Sequence, residues 1–360
     1  AKGMFVRQLM NLGDFRRLDH RMHNKALIVD NRAAIVGGRN LADEYFGAHE
    51  EANFRDMEVL LGGPQVTSLS DLFDEFWNND WTMLEDQLQK NPKGEQTPQA
   101  IAEWVKASTS KGLEEGAAER SRAWLEMVKD AISVEVRLLA DDPAPEDPAD
   151  LDEQPTQLWE DLRMLFDEAE EELILVSAYL IPTPELEQTI ERTEARGVSV
   201  RILTNSLRSN NHVAAHSVYR KHIHRLISHG ADLHEVRAEA KDRHVYMRSP
   251  IASKELGLHA KLAIIDDSLT LIGSANLDPR SLRLNTEMAL LLRSKELNRR
   301  VRRLLDLDFH GRNAWHLQSR PDGTIHWVAD DQTLTKQPAE SAYQRLEDWF
   351  LGTLPIEGEM

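Results

Sequence analysis

The chain has 360 residues, 41% of them hydrophobic and 29% charged, with a formal net charge of −18 at pH 7 and no cysteine. That length has room for two domains with sizeable cores. The absence of cysteine excludes a disulfide framework and a thiolate metal site, and the short apolar runs exclude a membrane-spanning helix, which needs about 18–20 such residues.

Taken in order, the chain begins Ala1-Lys2-Gly3-Met4, which is neither an initiator nor an apolar leader. The first stretch with chemistry in it is His23-Asn24-Lys25-Ala26-Leu27-Ile28-Val29-Asp30, then Gly37-Gly38-Arg39-Asn40, with Asp56 beyond. Residues 54–61 read as a strand. Residues 66–84 read as an amphipathic helix with Leu69, Leu72, Phe73, Phe76 and Trp77 at helical spacing, expected in the core. Residues 86–150 change character. Polar helix formers run over 98–132, and the acidic, Pro-interrupted run from Asp141 to Pro148 forbids helix and reads as a solvated, exposed linker.

The second half alternates. Helix over 158–169, strand over 173–178, helix over 184–195 stopped by Gly197 and strand over 198–203 form a crossover unit with parallel strands. A helix over 212–228 and a strand over 232–236 follow. Next comes Leu258-His259-Ala260-Lys261-Leu262-Ala263-Ile264-Ile265-Asp266, then Gly273-Ser274-Ala275-Asn276, with Glu287 beyond. Helices over 298–308 and 341–351 close the chain. The reading is an α/β fold with two related α/β/α domains and mixed sheets. Residues 1–85 are the end of a first domain, 86–150 a linker, 151–330 a second domain and 331–360 a C-terminal helix and tail. The first motif lacks the crossover unit that precedes the second, so the chain reads as an N-terminally truncated fragment.

Both copies follow H-x-K-x-x-x-x-D, and in both the Asn lies 17 residues after the His. On an extended strand residues i and i+2 share a face, so His23 points with Lys25 and His259 with Lys261, while Asp30 and Asp266 fall at strand ends. A turn and a second apolar run then bring Gly38 or Ser274 beside the first strand, and Asn40 or Asn276 joins the group. Asp56 or Glu287 is the acid that can hold each copy's imidazole in one tautomer. Two cationic half-sites without metal ligands suit a phosphodiester whose negative charge grows in the transition state.

The paired motifs resemble the phospholipase D superfamily. Further stretches, His20-Arg21-Met22-His23-Asn24-Lys25, Asp43-Glu44-Tyr45-Phe46-Gly47, Asn276-Leu277-Asp278-Pro279-Arg280-Ser281 and Leu354-Pro355-Ile356-Glu357, are similar to bacterial cardiolipin synthases of the C-type group. The likeness covers most of the chain outside about residues 90–150. It implies one active site joining the two half-sites, and transfer of a phosphatidyl group to phosphatidylglycerol from a second phospholipid, phosphatidylethanolamine being one candidate. It implies a covalent phosphohistidine, no metal or cofactor, and a peripheral place on the cytoplasmic face of the bacterial inner membrane. The alternatives are a nuclease or phosphodiesterase that transfers to water, and a non-catalytic lipid-binding or scaffold protein. The acidic balance is a poor match to nucleic acid, whose binding rests on clustered Lys and Arg. It also repels an anionic bilayer, so docking needs local basic or apolar loops or an accessory protein. Basic residues gather at Arg16, Arg17, Arg21 and Lys25 and again at Arg220, Lys221 and Arg225.

The family's His-x-x-Tyr resembles His216 to Tyr219 and makes His216 a substrate contact; Arg280 sits in what the family makes a pocket-lining loop. The remaining histidines of this stretch, His222, His224 and His229, lack carboxylate partners at metal-ligand spacing, so no zinc is expected. His23, flanked by Arg21 and Lys25, is expected to be the neutral nucleophile. His259, with Glu287 as its expected partner, is then the proton carrier.

Overall fold

The computed structural model describes residues 20–47, 49–80, 82, 117–143, 156–245 and 254–354. The chain divides into two units, one of Ala1–Phe76 with Val134–Met360 and one of Trp77–Ser133. In chain order the first carries β1 (Ala26–Val29), β2 (Ala33–Gly37), β3 (Ala52–Arg55), β4 (Glu58–Gly62) and α1 (Gln65–Trp77), whose last residue opens the second unit. The second unit contributes α2 (Ala117–Lys129). The first resumes with β5 (Glu135–Ala140), α3 (Gln157–Asp167), β6 (Glu172–Val176), α4 (Pro184–Ala195) and β7 (Ser199–Asn205). Then come α5 (Val213–Tyr219), α6 (Ile223–Ser228), β8 (Asp232–Val236), β9 (Glu255–Leu258), β10 (Leu262–Ile265) and β11 (Leu269–Gly273). The last elements are α7 (Pro279–Arg283), β12 (Met288–Arg293), α8 (Lys295–Phe309), β13 (Ala314–Ser319), β14 (Ile325–Val328), β15 (Thr333–Leu334) and α9 (Ala342–Leu351).

A ten-stranded mixed sheet in the order β15-β14-β13-β8-β7-β6-β10-β11-β12-β5 is the frame of the first unit. Its centre is apolar on both faces, as a sheet covered on both sides requires. Leu173 and Leu175 of β6 join Leu162 and Phe166 of α3 and Ile190 of α4. Ile174 and Val176 face the other way, toward Val301 and Leu305 of α8 and toward Ala34, Val36, Val66 and Leu69 of the first motif's region. The helices start where side chains accept first-turn amides: Thr156 for α3, Thr183 ahead of Pro184 for α4, Ser294 for α8 and Ser341 for α9. β6, β7 and β8 run parallel through α4 and the α5–α6 pair, the crossover expected from the sequence.

A three-stranded sheet, β1-β2-β4, repeats the pattern of β10-β11-β12. Ala26 pairs with Val36 in the first as Leu262 pairs with Ile272 in the second. Gly37 and Gly273 occupy matching places, where an added Cβ would lie 2.6 Å from Met57 O and 2.4 Å from Met288 O respectively. Only a glycine lets the neighbouring strand approach that closely.

Several expectations from the sequence change. The single strand over 54–61 is two strands in different sheets, broken at Asp56 and Met57. α1 ends at Trp77, with residues 83–84 outside the described set, and Phe73 and Trp77 are 55% and 62% exposed rather than in the core. A sheet three strands wide, about 14 Å, covers only part of a 13-residue helix. The helix over 212–228 is split at Arg220–His222 into α5 and α6. Residues 135–140, read as linker, form β5, which pairs with β12 along its whole length. Asp141, read as solvated, is buried and accepts from Leu158 N (2.7 Å) and Glu287 N (2.9 Å). The Pro-rich remainder, residues 144–155, lies outside the described residues.

Candidate active site

Two parallel pairings between distant parts of the chain build the site. β3, ending just before Asp56, runs beside β9, ending just before His259, and His259 N donates to Arg55 O (2.8 Å). At the other copy Met22 bridges Thr286 in parallel, with His23 N donating to Thr286 O (2.9 Å) and Thr286 N to Arg21 O (3.0 Å). Each histidine is thereby laid against the acid of the opposite copy. His23 Nδ1 meets both oxygens of Glu287 (2.8 and 2.9 Å), and His259 Nδ1 meets Asp56 Oδ2 (2.9 Å). The expected pairing within each copy is therefore corrected. The segments that run side by side are the one before each His and the one before the other copy's acid.

Neither His–Lys pair lies on a regular strand; both occupy the extended residues just before β1 and β10. Lys261 still reaches back, its Nζ 3.0 and 3.1 Å from the two ring nitrogens of His259 and donating to His259 O (2.6 Å). Lys25 donates to His23 O (2.8 Å). The charges of the two copies act on one another. Burial lowers the Lys25 ammonium to about 8 against the opposing pull of Glu287 and Asp56. Burial likewise lowers Lys261 to about 7, with Lys25 pushing the same way and Asp56 opposing. The His259 imidazole is lowered to about 4 by burial and then by Lys261, with Asp56 pulling back. Burial raises the Glu287 carboxyl, but His23, the Ser274 hydroxyl and Lys25 together outweigh it and leave the group below its usual range.

The other expected site residues divide. Ser274 Oγ donates to Glu287 Oε2 (2.5 Å), so it supports the acid. Gly38 lies where a Cβ would stand 3.0 Å from Asp56 Oδ1, His259 O and Lys261 Cδ. Asn40 donates to the Tyr45 hydroxyl (3.0 Å), and Asn276 is buried with its Oδ1 unpartnered among the described residues. Arg280 is on α7, a short helix capped by Asp278, rather than on a loop. Asp30 and Asp266 do not join the group. Both sit in left-handed turns (φ 52° and 49°) at the far ends of their strands, where Asp tolerates that backbone. The Asp266 carboxylate accepts from Glu170, Glu171 and Glu172 amides, with 2.7 Å to Glu171 N.

His216 is corrected as a substrate contact. It is fully buried, and its Nδ1 pairs with Asp348 Oδ1 (2.9 Å) of α9. His222 does have a carboxylate partner, Glu187 (2.7 Å), supplied by α4 and invisible as a sequence spacing. Sequence reasoning missed Tyr45, whose ring packs edge-on to His259 with centroids 4.8 Å apart, and Asp278, raised to about 6 by burial and then by Glu287. Both lie inside stretches on which the family resemblance rests, which was the available signal.

The profile of a family described as cardiolipin synthase, PLD-like domain, matches residues 162–308. Cardiolipin synthase C of Escherichia coli (strain K12) is 32% identical over 98% of this chain and 76% of its own length. The chain belongs to the cardiolipin synthase-like branch of the phospholipase D superfamily. Cardiolipin synthase A of Pseudomonas putida (strain GB-1) is 25% identical over 81% of this chain but 48% of its own length. The phosphatidylserine synthase of Haemophilus influenzae Rd KW20 shares the fold, with a TM-score of 0.56 at 15% identity over 82% of this chain and 63% of that one. This member of the phospholipase D superfamily is thus a mixed α/β enzyme. Among its described residues no helix is long and apolar enough to cross a membrane.

Proposed function

We propose that this enzyme transfers a phosphatidyl group from one phospholipid to the hydroxyl of phosphatidylglycerol, making cardiolipin through a covalent phosphohistidine and without a metal. The observation that supports it most is the crossed pairing of two imidazoles with two buried carboxylates amid Lys25 and Lys261. Each Nδ1–H is fixed by its acid, so each Nε2 is the reactive nitrogen.

We assign the two rings the reverse of the roles expected from the sequence, because the basic flank counted for His23 does not lie against its ring. The cation against an imidazole is Lys261 on His259, whereas Lys25 addresses the His23 carbonyl. His259, held neutral, is the nucleophile. Its Nε2 lone pair attacks phosphorus, the bond to the leaving alcohol breaks, and His23, backed by ionised Glu287, gives that alcohol its proton. His23 then takes the proton of the phosphatidylglycerol hydroxyl, which attacks phosphorus and breaks the P–N bond. Lys25 and Lys261 neutralise the phosphoryl oxygens, the task a metal would otherwise perform. The proposal includes a peripheral place on the cytoplasmic face of the bacterial inner membrane.

The test is mass analysis of lipid products from phosphatidylglycerol, with and without phosphatidylethanolamine, in chelator, beside a DNA cleavage assay. Cardiolipin with intact DNA is expected; DNA cleavage or phosphatidic acid alone overturns the proposal. Rapid denaturation after mixing with labelled donor should leave label on His23→Asn protein and none on His259→Asn protein, and the opposite pattern reverses the roles.

A further inference from the structure

α9 is built inside out. Its inward face is polar: Asp348 holds His216 and Arg220 (2.9 and 3.0 Å), Gln344 Nε2 donates to Leu207 O (3.1 Å) and Arg345 Nε to Gln337 O (3.1 Å). Its outward face is apolar. Tyr343, Leu346, Trp349 and Phe350 are each more than half exposed. At about 100° per residue they fill one arc roughly 120° wide, bordered by Glu347. A soluble helix turns that arc toward its core, and an exposed patch of this kind marks an interaction surface.

The chemistry around the arc and its position choose the occupant. An open groove beside Trp349 is lined by Arg220, which belongs to the basic cluster noted in the sequence, and by His224, Lys336, Arg345 and Asp348. Asp348 pairs with Arg220, and Lys336 and Arg345 leave the groove locally positive against a chain of net charge −18. Aromatic and aliphatic side chains next to Lys and Arg are the composition of a helix lying in a lipid–water interface. The helix also attaches just beyond the end of β7, the strand of the large sheet whose last residue, Asn205, is bonded to the segment leading into His259. The Asn205 side chain exchanges hydrogen bonds with Leu258 O and N (both 2.8 Å), one residue before His259, and Leu207, two residues beyond Asn205, is where Gln344 attaches.

We infer that α9 and its flanking basic groove dock the enzyme on an anionic phospholipid bilayer, turning the active-site end of the sheet toward its substrate. The inference rests on the lipid reading of the active site. Cysteine is absent, so single cysteines carry reporters without background. A polarity-sensitive dye on Leu346→Cys should shift to an apolar signal with vesicles of phosphatidylcholine and phosphatidylglycerol at 7:3, and far less with phosphatidylcholine alone. The same dye on Lys295→Cys, an exposed site on α8, should not respond.

Leu346→Ser with Phe350→Ser should weaken vesicle binding at least tenfold, and Lys336→Glu roughly fivefold. Both should leave turnover of monomeric short-chain phosphatidylglycerol unchanged. Vesicle binding with no dye response at Leu346→Cys overturns the inference, as does a dye response caused by self-association without vesicles. Wild-type binding with this response but no lipid turnover would sink the enzymatic reading and leave the docking surface standing.

Discussion

The two half-sites carry the same motif and differ in what surrounds it. The His259 side chain is 6% exposed, with Lys261 against its ring, Asp56 on its Nδ1 and Tyr45 on its edge. The His23 side chain is 29% exposed, with Glu287 on its Nδ1 and its lysine turned to a carbonyl. Two-fold repetition fixes which groups are present; burial and the direction of one ammonium decide what each ring can do. A pair of identical sequence patterns thus becomes a buried imidazole with an ammonium against its ring on one side and a more exposed imidazole on the other, the difference on which the proposed roles of nucleophile and proton carrier rest.

The sharpest way to break this comparison is to remove one acid at a time. Glu287→Gln and Asp56→Asn should each lower kcat by about 10³–10⁴-fold, the scale of a mis-oriented catalytic imidazole. Imidazole nitrogen NMR spectra should show Glu287→Gln changing the Nδ1 signal of His23 and Asp56→Asn that of His259. A change in the signal of the ring in the same copy would mean the crossed pairing is wrong.

Removing the lysines comes next. Lys261→Met and Lys25→Met should each cost about 10²–10³-fold in turnover, and Lys261→Met should displace His259 more than Lys25→Met, because both ammoniums lower that imidazole and Lys261 is the larger cause. Because Lys261 lowers that imidazole, its loss should raise the pKa from about 4, and the acid limb of kcat/KM should move to higher pH. The depressed value also bears on stability. Between about 4 and the ordinary imidazole value of 6.5 the unfolded chain holds a proton on His259 that the folded one does not, so stability should rise with pH across that window and level off above it. Denaturant midpoints measured from pH 4 to 8 check the sign, and a flat profile would remove His259 as a buried neutral group.

Smaller effects compare the residues that support each acid. Gly38→Ala pushes a methyl against Asp56, His259 and Lys261, and should cost about 1–3 kcal/mol. Ser274→Ala removes one hydrogen bond to an ionised group and should cost about 1.5–3 kcal/mol, with activity falling through His23 rather than His259. Thermal unfolding with the imidazole spectra of the two histidines separates them. At the bottom of the scale, Asp266→Ala loses three backbone partners and should lower stability by about 1–2 kcal/mol with kcat nearly unchanged. Exposed Asp30→Ala loses no such partners among the described residues but puts Ala at positive φ, and should cost about 0.5–1 kcal/mol. A large loss of kcat in either would return the motif's last residue to the chemistry.

The sequence by itself determined what depends on local pattern. Short apolar runs between helical stretches, with Gly197 as a stop, located β6, α4, β7, β8, α8 and α9 closely, and the repeated spacing found both His–Lys pairs. It did not show that α5 and α6 are separate, because neither Gly nor Pro marks the break at Arg220–His222. It hid β5 in a polar, acidic neighbourhood, although Val136 and Leu138 alternate with Glu135 and Arg137 as a strand should. The tertiary structure alone decided which acid serves which histidine, that Ser274 holds Glu287, that His216 anchors α9, and that Lys261 turns onto an imidazole. These are contacts between residues far apart in the chain, such as Asp56 with His259 across 203 positions. Local spacing carries no information on which of two equivalent strands will lie alongside; the parallel pairing of β3 with β9 chooses, by satisfying both their backbones at once.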